Sequence, residues 1–348
     1  MAGMPSVNNR QDSGIMIEPT GQLRLHIQNP ADEKIFLITD AIWQAAANRH
    51  PEVAKRLVVS NGRTEAEFHA AIGSADLLIS WTGVVRALFP TNAPKLKIIF
   101  CTSAGLDRLA PFDLLPPGCA LLNNSGVHGP KAGEWGLMAI LMLANHMPLF
   151  ATQQRERRYE KHFSRVVAGQ SLLALGVGDM AGHTLDYARR LGMKVIGVRN
   201  RVATHPHCDE VVGLAQLDAV LPRADYLLIT CPLTPQTRGL LDRRRLALLK
   251  PSAGLINMAR GAIVDQDALC DQLDRGALGG AVLDVFTTEP LPPDSRVWTT
   301  RNLVMAPHVS SDDPESYNPR SLDIFFRNFG MWLDGKPMPN MIDVKTGY

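Results

Sequence analysis

Ser171-Leu-Leu-Ala-Leu175 runs without a break into Gly176-Val-Gly178-Asp-Met-Ala181, and apolar residues then recur at Ala181, Leu185, Ala188 and Leu191. The first stretch predicts a short buried strand, the glycines a tight turn, and the spacing that follows a helix. Each small residue has a task in such a unit. Gly176 permits the turn, Gly178 lets the backbone approach an anionic group with no Cβ in the way, and Ala181 allows close packing of helix on strand. Unpaired N–H groups and the positive dipole end at the helix start would then hold a diphosphate. A second β-type run, Lys194 to Val198, follows at the distance expected of a βαβ unit. The stretch therefore reads as a dinucleotide-binding turn, with Asp179 and Met180 on its rim.

The same alternation runs the length of the chain. Short apolar or β-branched runs stand at Ile35 to Thr39, Leu77 to Ser80, Lys97 to Cys101 and Ala120 to Leu122. Later ones are Ser171 to Leu175, Lys194 to Val198, Tyr226 to Thr230, Gly254 to Met258, Ala281 to Val285 and Leu303 to Ala306. Segments of helical period separate them, the pattern of an α/β fold with parallel sheets buried on both faces. Four early strands and six later ones are expected. His128 to Val167 between them carries no strand signal, so two sheets are expected rather than one. Within that gap Lys131 to His146 reads as a helix apolar nearly all round, through Trp135, Leu137, Met138, Ile140, Leu141, Met142 and Leu143. Such a helix must be covered on several sides, inside one subunit or across a domain or subunit boundary.

The chain has 348 residues, 45% hydrophobic and 20% charged, which fits two folded domains. Lys plus Arg at 36 against Asp plus Glu at 34 leave a formal charge of +2. That balance argues against nucleic acid or a membrane surface as a bulk partner and leaves anion binding to local sites. The longest apolar run, Trp135 to Ala144, is about half of the ~18 residues that a membrane span needs. Asn8, Asn9, Arg10, Gln11 and Asp12 argue against a secretory leader in the first twenty residues, which read as a loose extension. Cys101, Cys119, Cys208, Cys231 and Cys270 form no close pair and no metal-ligand spacing. Free thiols, a cytoplasmic setting and no metal site are therefore expected.

Where NAD-binding units place an acidic side chain against the adenosine ribose, this chain has Arg199-Asn200-Arg201. Two guanidinium groups and no carboxylate suit a 2′-phosphate, so NADP(H) is the expected cofactor, with NAD(H) as the alternative. A solvated basic loop is the competing reading. Arg260, Glu289 and His308 stand at the ends of later runs, where α/β sheets hold ligands. Singly, each also has a bland explanation, as a loop clamp, a turn residue and a polar residue beside proline.

Gly176 to Ala181, Cys231-Pro-Leu-Thr-Pro-Gln-Thr-Arg-Gly239, Leu255-Ile-Asn-Met-Ala-Arg-Gly261, Gly280-Ala-Val-Leu-Asp-Val-Phe286, Glu289-Pro-Leu291 and Ala306-Pro-His308 decide between these readings. Their order and approximate spacing resemble those of the D-isomer-specific 2-hydroxyacid dehydrogenase family, nearly end to end. Arg260, Glu289 and His308, separated by 29 and 19 residues, match the family's triad. The resemblance implies two Rossmann-like domains with parallel sheets and a cleft between them. Residues 1–126 with 311–348 would form a discontinuous substrate domain, and 127–310 the dinucleotide-binding domain.

The resemblance also implies roles. His308 would protonate the keto oxygen, Glu289 would orient the ring and favour its charged form, and Arg260 would polarise the oxygen and pair with the substrate carboxylate. Asp284 matches the residue that meets the nicotinamide amide. Thr230, Cys231 and Pro232 match the loop along the cofactor ribose, and Met258 and Ala259 lie on its path. Ser103-Ala104-Gly105-Leu106-Asp107 resembles the loop whose backbone N–H groups hold the substrate carboxylate, and Trp81-Thr82-Gly83 the other wall of the pocket.

The implied activity is NAD(P)H-dependent reduction of a small 2-keto acid to the D-2-hydroxy acid by a homodimer joined through the Lys131 to His146 helix. A phosphite-type dehydrogenase on the same fold and a non-catalytic, NAD(H)-sensing corepressor-like binding protein stay open. Glu289 argues against formate dehydrogenases, which carry glutamine there. Departures from the family pattern are Arg199, and Ala181 where many members have a third glycine. With 40 residues after His308, the regulatory domain of some phosphoglycerate dehydrogenases is not expected.

Overall fold

The computed structural model describes residues 21–32 and 34–344; the stretch read as a loose extension lies outside them. The first sheet comprises β1 (Leu23–Gln28), β2 (Leu57–Gly62), β3 (Leu77–Ser80), β4 (Ile98–Cys101) and β5 (Ala120–Leu122) in the order β2-β1-β3-β4-β5. The second comprises β6 (Ser171–Leu175), β7 (Lys194–Val198), β8 (Glu210–Val212), β9 (Tyr226–Ile229), β10 (Gly254–Asn257), β11 (Gly280–Leu283) and β12 (Leu303–Met305) in the order β12-β11-β10-β9-β6-β7-β8. Every pairing between these strands is parallel. Strands β3, β4, β9, β10 and β11 are buried at each residue. That is why they show in the sequence as unbroken apolar runs.

Three strands are not anticipated by the sequence reading, and one expected strand is absent. Ile35 to Thr39 does not form a strand: a 3-10 turn spans Lys34–Phe36, and Thr39 caps the following helix by accepting from the Ile42 N–H. β1 precedes it and alternates Leu23, Leu25 and Ile27 with Arg24, His26 and Gln28, so it is not an unbroken apolar run, although His26 and Gln28 are buried. His26 satisfies its ring nitrogens on Ser60 Oγ and Gln28 Oε1, each at 2.9 Å. β2 and β8 are edge strands of mixed exposure, which the search for apolar runs passes over. The sheets thus have five and seven strands, against the four and six expected.

The expected Lys131 to His146 helix spans Gly129–Ala144. It lies close against the Asp179–Arg190 helix because two of its residues lack side chains. A Cβ at Gly133 would come within 2.4 Å of His183 Cβ, and one at Gly136 within 2.3 Å of Thr184 Oγ1. Its other flank meets β10, where a Cβ on Gly254 would sit 2.7 Å from Leu143. Most of this apolar helix is therefore covered within one chain, while Met138 and Leu141 remain 44% and 38% exposed.

The last long helix, Tyr317–Leu333, returns to the first sheet. Phe325, Phe326 and Phe329 bury themselves in one cluster with Ile98, Phe100 and Leu122. The Tyr317 hydroxyl donates to the Thr102 carbonyl, Asn124 donates to Ser321 Oγ at 2.7 Å, and the Ile342 N–H donates to the Leu121 carbonyl at 2.9 Å. All five cysteines are free. Among the described residues no single helix is long and apolar enough to cross a membrane.

Candidate active site

In the second sheet the strand order reverses between β6 and β9, which opens a crevice at their carboxyl ends. The loop after β6 carries Gly176 at φ +97°, a region disfavoured for residues with a side chain, and a Cβ there would lie 2.6 Å from the Cys231 backbone nitrogen. Thr230 Oγ donates to the Gly176 carbonyl at 2.9 Å, so the two crevice loops are pinned together. Gly178 caps the Asp179–Arg190 helix with no side-chain bond, and nothing lies within 4 Å of the place its Cβ would take. The first N–H groups of that helix thus face open space, a cradle that fits the diphosphate of a dinucleotide. Met180 packs against the core behind the turn.

A groove of about 480 Å³ continues from Gly178 and Asp179 past His183 to His205 and His207. Arg199 stands directly after β7, half-buried, and Asn200 and Arg201 are exposed. The histidine walls of this groove are absent from the sequence reading, since no local pattern ties a loop histidine to the face of a helix. Burial holds His205 below its usual range, and the charges of His207 and Arg199 add to that. Along the rest of the crevice Cys231, Met258 and Ala259 are buried and Pro232 is exposed. Burial pushes the Cys231 thiol up to about 12, so it stays neutral.

Glu289 and His308, from loops after β11 and β12, meet at 2.7 Å between Oε2 and Nδ1. The other glutamate oxygen accepts the Phe286 N–H at 2.9 Å. The hydrogen bond to Glu289 raises the His308 pKa above its ordinary 6.5, against the desolvation that lowers it and the nearby charge of Arg260. Burial alone would raise Glu289, but the bonds from His308 and the Phe286 N–H outweigh it and hold the carboxyl below its usual range. His308 has φ +58°, rare for a residue with a side chain. Asp284, nearly fully buried, is what holds it so. Its carbonyl accepts the His308 N–H at 2.9 Å, and its carboxylate accepts the Val309 and Ser310 N–H groups at 2.8 and 3.1 Å. The resemblance names Asp284 for the nicotinamide; the structure shows it first as the anchor of the histidine turn.

Arg260 reaches from the end of β10 to the first-sheet loop. Its Nε donates to Asp107 Oδ1 at 3.1 Å, Nη2 lies 3.0 Å from the same oxygen as an ion pair, and Nη1 donates to the Ala259 carbonyl at 2.8 Å. The guanidinium lies on the bare backbone of Gly105, where a Cβ would come within 1.9 Å of Nη2. Ser103 and Ala104 precede it on the loop, held by Asn124 and Asn123 bonding their carbonyls. Trp81 stacks on Phe36 at 5.7 Å and covers Gly83, and the buried Thr82 turns its N–H to Ser103 Oγ. The Arg260, Glu289 and His308 group is thus brought to one cleft with residues 103–107.

A second titratable pair, not singled out from the sequence, lies beside it. His128, where the chain leaves the first sheet, donates Nδ1 to the Ser311 carbonyl at 3.2 Å and approaches Asp312 Oδ1 at 3.5 Å, where the chain returns. Burial lowers the histidine and raises the aspartic acid, each partly countered by the other. Nearly two hundred residues separate the partners, and no local spacing could pair them.

These two sheets, with a glycine-turn crevice in one and an Arg, Glu and His group facing the other, define a two-domain dinucleotide-binding architecture. Residues 137–310 match the family model described as D-isomer specific 2-hydroxyacid dehydrogenase, NAD binding domain. The chain belongs to the D-isomer specific 2-hydroxyacid dehydrogenase family. It is 31% identical over 255 residues to glyoxylate/hydroxypyruvate reductase B of Pectobacterium carotovorum, covering 71% of this chain and 79% of that one. It is 28% identical over 293 residues to D-3-phosphoglycerate dehydrogenase of Synechocystis, covering 83% of this chain and 52% of the relative. The chain thus spans about half the length of the phosphoglycerate dehydrogenases it matches. Among solved structures, a D-isomer specific 2-hydroxyacid dehydrogenase family protein of Aeromonas salmonicida superposes with a TM-score of 0.78 at 30% identity, covering 93% of this chain and all of the other. A family member from Xanthobacter autotrophicus, solved with NADPH and MES, gives 0.77 at 27% identity, covering 94% and 100%.

Proposed function

We propose that the protein reduces a small 2-keto acid to the D-2-hydroxy acid with NADP(H). The observation that carries this reading is the His308–Glu289 pair at 2.7 Å, in the same cleft as the Arg260 guanidinium. A reduced nicotinamide cofactor, held along the crevice by the turn at Gly176 and Gly178 and the loop at Thr230, would supply the hydride for the carbonyl carbon. This chain's residues do the rest. Glu289 engages Nδ1, which leaves His308 Nε2 as the donor for the carbonyl oxygen, and the charge of Glu289 keeps the ring protonated before transfer. Arg260 holds the substrate carboxylate and offsets charge developing on the oxygen. Backbone N–H groups of residues 103–105 and the wall at Trp81, Thr82 and Gly83 complete the pocket.

Gly176, Gly178, Asp179 and Met180 would receive the diphosphate, with Thr230, Cys231, Pro232, Met258 and Ala259 along the rest of the cofactor. Arg199 and Arg201, with Asn200, favour a 2′-phosphate and hence NADP(H) over NAD(H). In this reading residues 1–126 and 311–348 are the substrate domain and 127–310 the cofactor domain. The partition is supported by the two sheets and by the return of the Tyr317–Leu333 helix to the first. The free thiols fit a cytoplasmic setting.

The test is oxidation of NADPH and of NADH against a panel of 2-keto acids. Faster turnover with NADPH, lost in His308→Gln and Arg260→Ala while NADPH binding and the circular dichroism spectrum persist, is expected. Equal or better rates with NADH would overturn the cofactor preference, and near-normal activity in either variant the catalytic assignment. Absence of activity with every keto acid would favour a sensor or a phosphite dehydrogenase.

A further inference from the structure

Arg260 has five N–H donors, and two of them are engaged in hydrogen bonds. Nε donates to Asp107 Oδ1, Nη2 is ion-paired to the same oxygen at 3.0 Å, and one N–H of Nη1 goes to the Ala259 carbonyl. Asp107 engages the Nε and Nη2 side of the planar group. Each terminal nitrogen keeps at least one N–H outside these hydrogen bonds, and a parallel pair at the tip of the fork has the spacing of the two oxygens of a carboxylate. Gly105 lies against the guanidinium, and its missing Cβ is what admits the group at all. Asp107 belongs to the first sheet's loop and Arg260 to the second sheet, so their ion pair crosses the cleft. The pair is only partly exposed, at 31% for Arg260 and 23% for Asp107, so solvent screens it less than a surface contact.

From this arrangement we infer that Asp107 is a positioning residue for substrate binding: it fixes the flank of Arg260 so that the tip of the fork is presented to the substrate carboxylate. The inference rests on the 2-keto acid reading and deepens it. Asp107 need not touch the substrate. Its effect passes through Arg260, and the site prefers a planar carboxylate that can take both tip donors.

The substitutions Asp107→Ala and Asp107→Asn separate this from a general structural role. The alanine variant removes the anchor. The asparagine variant keeps an oxygen for Nε and Nη2 and loses only the charge. In protein loaded with NADP(H), Asp107→Ala should raise the KM for the keto acid by about tenfold or more, the size expected for losing a charged hydrogen bond. It should leave the Kd for NADPH unchanged, and Asp107→Asn should recover most of the affinity. Equilibrium binding of oxalate to the protein loaded with NADP, followed by calorimetry, should weaken in the same order.

An unchanged or lowered KM in Asp107→Ala, with turnover intact, overturns the inference and leaves the keto acid reading standing. An equal loss of NADPH affinity and oxalate affinity also overturns it, as a structural effect. Oxalate binding that depends on Asp107, in a protein that reduces no keto acid, overturns the reaction and leaves the positioning role. Neither binding nor turnover overturns both.

Discussion

His308 brings together three constraints that rarely meet in one residue: a left-handed backbone, a buried aspartate bonded to the turn that follows it, and a glutamate on one ring nitrogen. A non-glycine residue at positive φ costs about 1–3 kcal/mol and persists only where its surroundings over-determine it. Here Asp284 does so. The electrostatics give a pH prediction with a definite sign. Reduction needs the charged ring, and Glu289 raises the His308 pKa above 6.5. The kcat/KM for reduction should therefore be level below that raised pKa and fall as pH rises through it. Glu289→Gln removes the largest raising influence, so its profile should break at a lower pH. A break that does not move in that variant would show that another group governs the profile. At the other end of the crevice, Gly176→Ala meets both a positive φ and a backbone nitrogen at 2.6 Å. It should lose about 1–3 kcal/mol in urea denaturation and weaken NADPH binding together.

At the scale of elements, what was legible depended on whether burial and apolarity coincided. β6, β7 and the glycine turn between strand and helix could be placed because a strand buried on both faces must be apolar throughout. β1 alternates Leu23, Leu25 and Ile27 with Arg24, His26 and Gln28, so a search for unbroken apolar runs passes it over although its period of two is a strand signal. His26 and Gln28 are buried by bonding Ser60 and each other. The candidate site divides the same way. Arg260, Glu289 and His308 sit at fixed distances along the sequence from readable strands. Asp107, Asp312 and the groove histidines become meaningful only once distant segments are neighbours.

The Gly129–Ala144 helix adds a prediction of its own. Its glycine face is used against the Asp179–Arg190 helix, yet Met138, Leu141 and the adjacent Met147 stay exposed, as do Tyr159 and Phe163 on the segment beyond. Apolar surface of this kind favours a second copy of the chain. Light scattering should give twice 38.1 kDa, and Met138→Lys with Leu141→Lys should give the single mass. A wild-type chain that stays at the single mass would exclude the dimer.

At the scale of the whole molecule, the two sheets differ in how much of the chain each requires. The second is built from one continuous stretch, β6 to β12. The first needs residues from both ends, because Phe325, Phe326 and Phe329 close over Ile98, Phe100 and Leu122. Ending the chain at residue 310 should therefore strip protection from β3 and β4 in hydrogen exchange while sparing β9 and β10. Equal loss in both sheets would mean that they fold as one unit.

The same connectivity orders events in time. A ribosome delivers β1 to β5 first, but the helix that seals them emerges only after the entire cofactor-binding half has been made. The oldest part of the chain must wait, with an apolar face open, until the youngest arrives. During synthesis that waiting face, more than any part of the finished fold, is where a chaperone would find its grip.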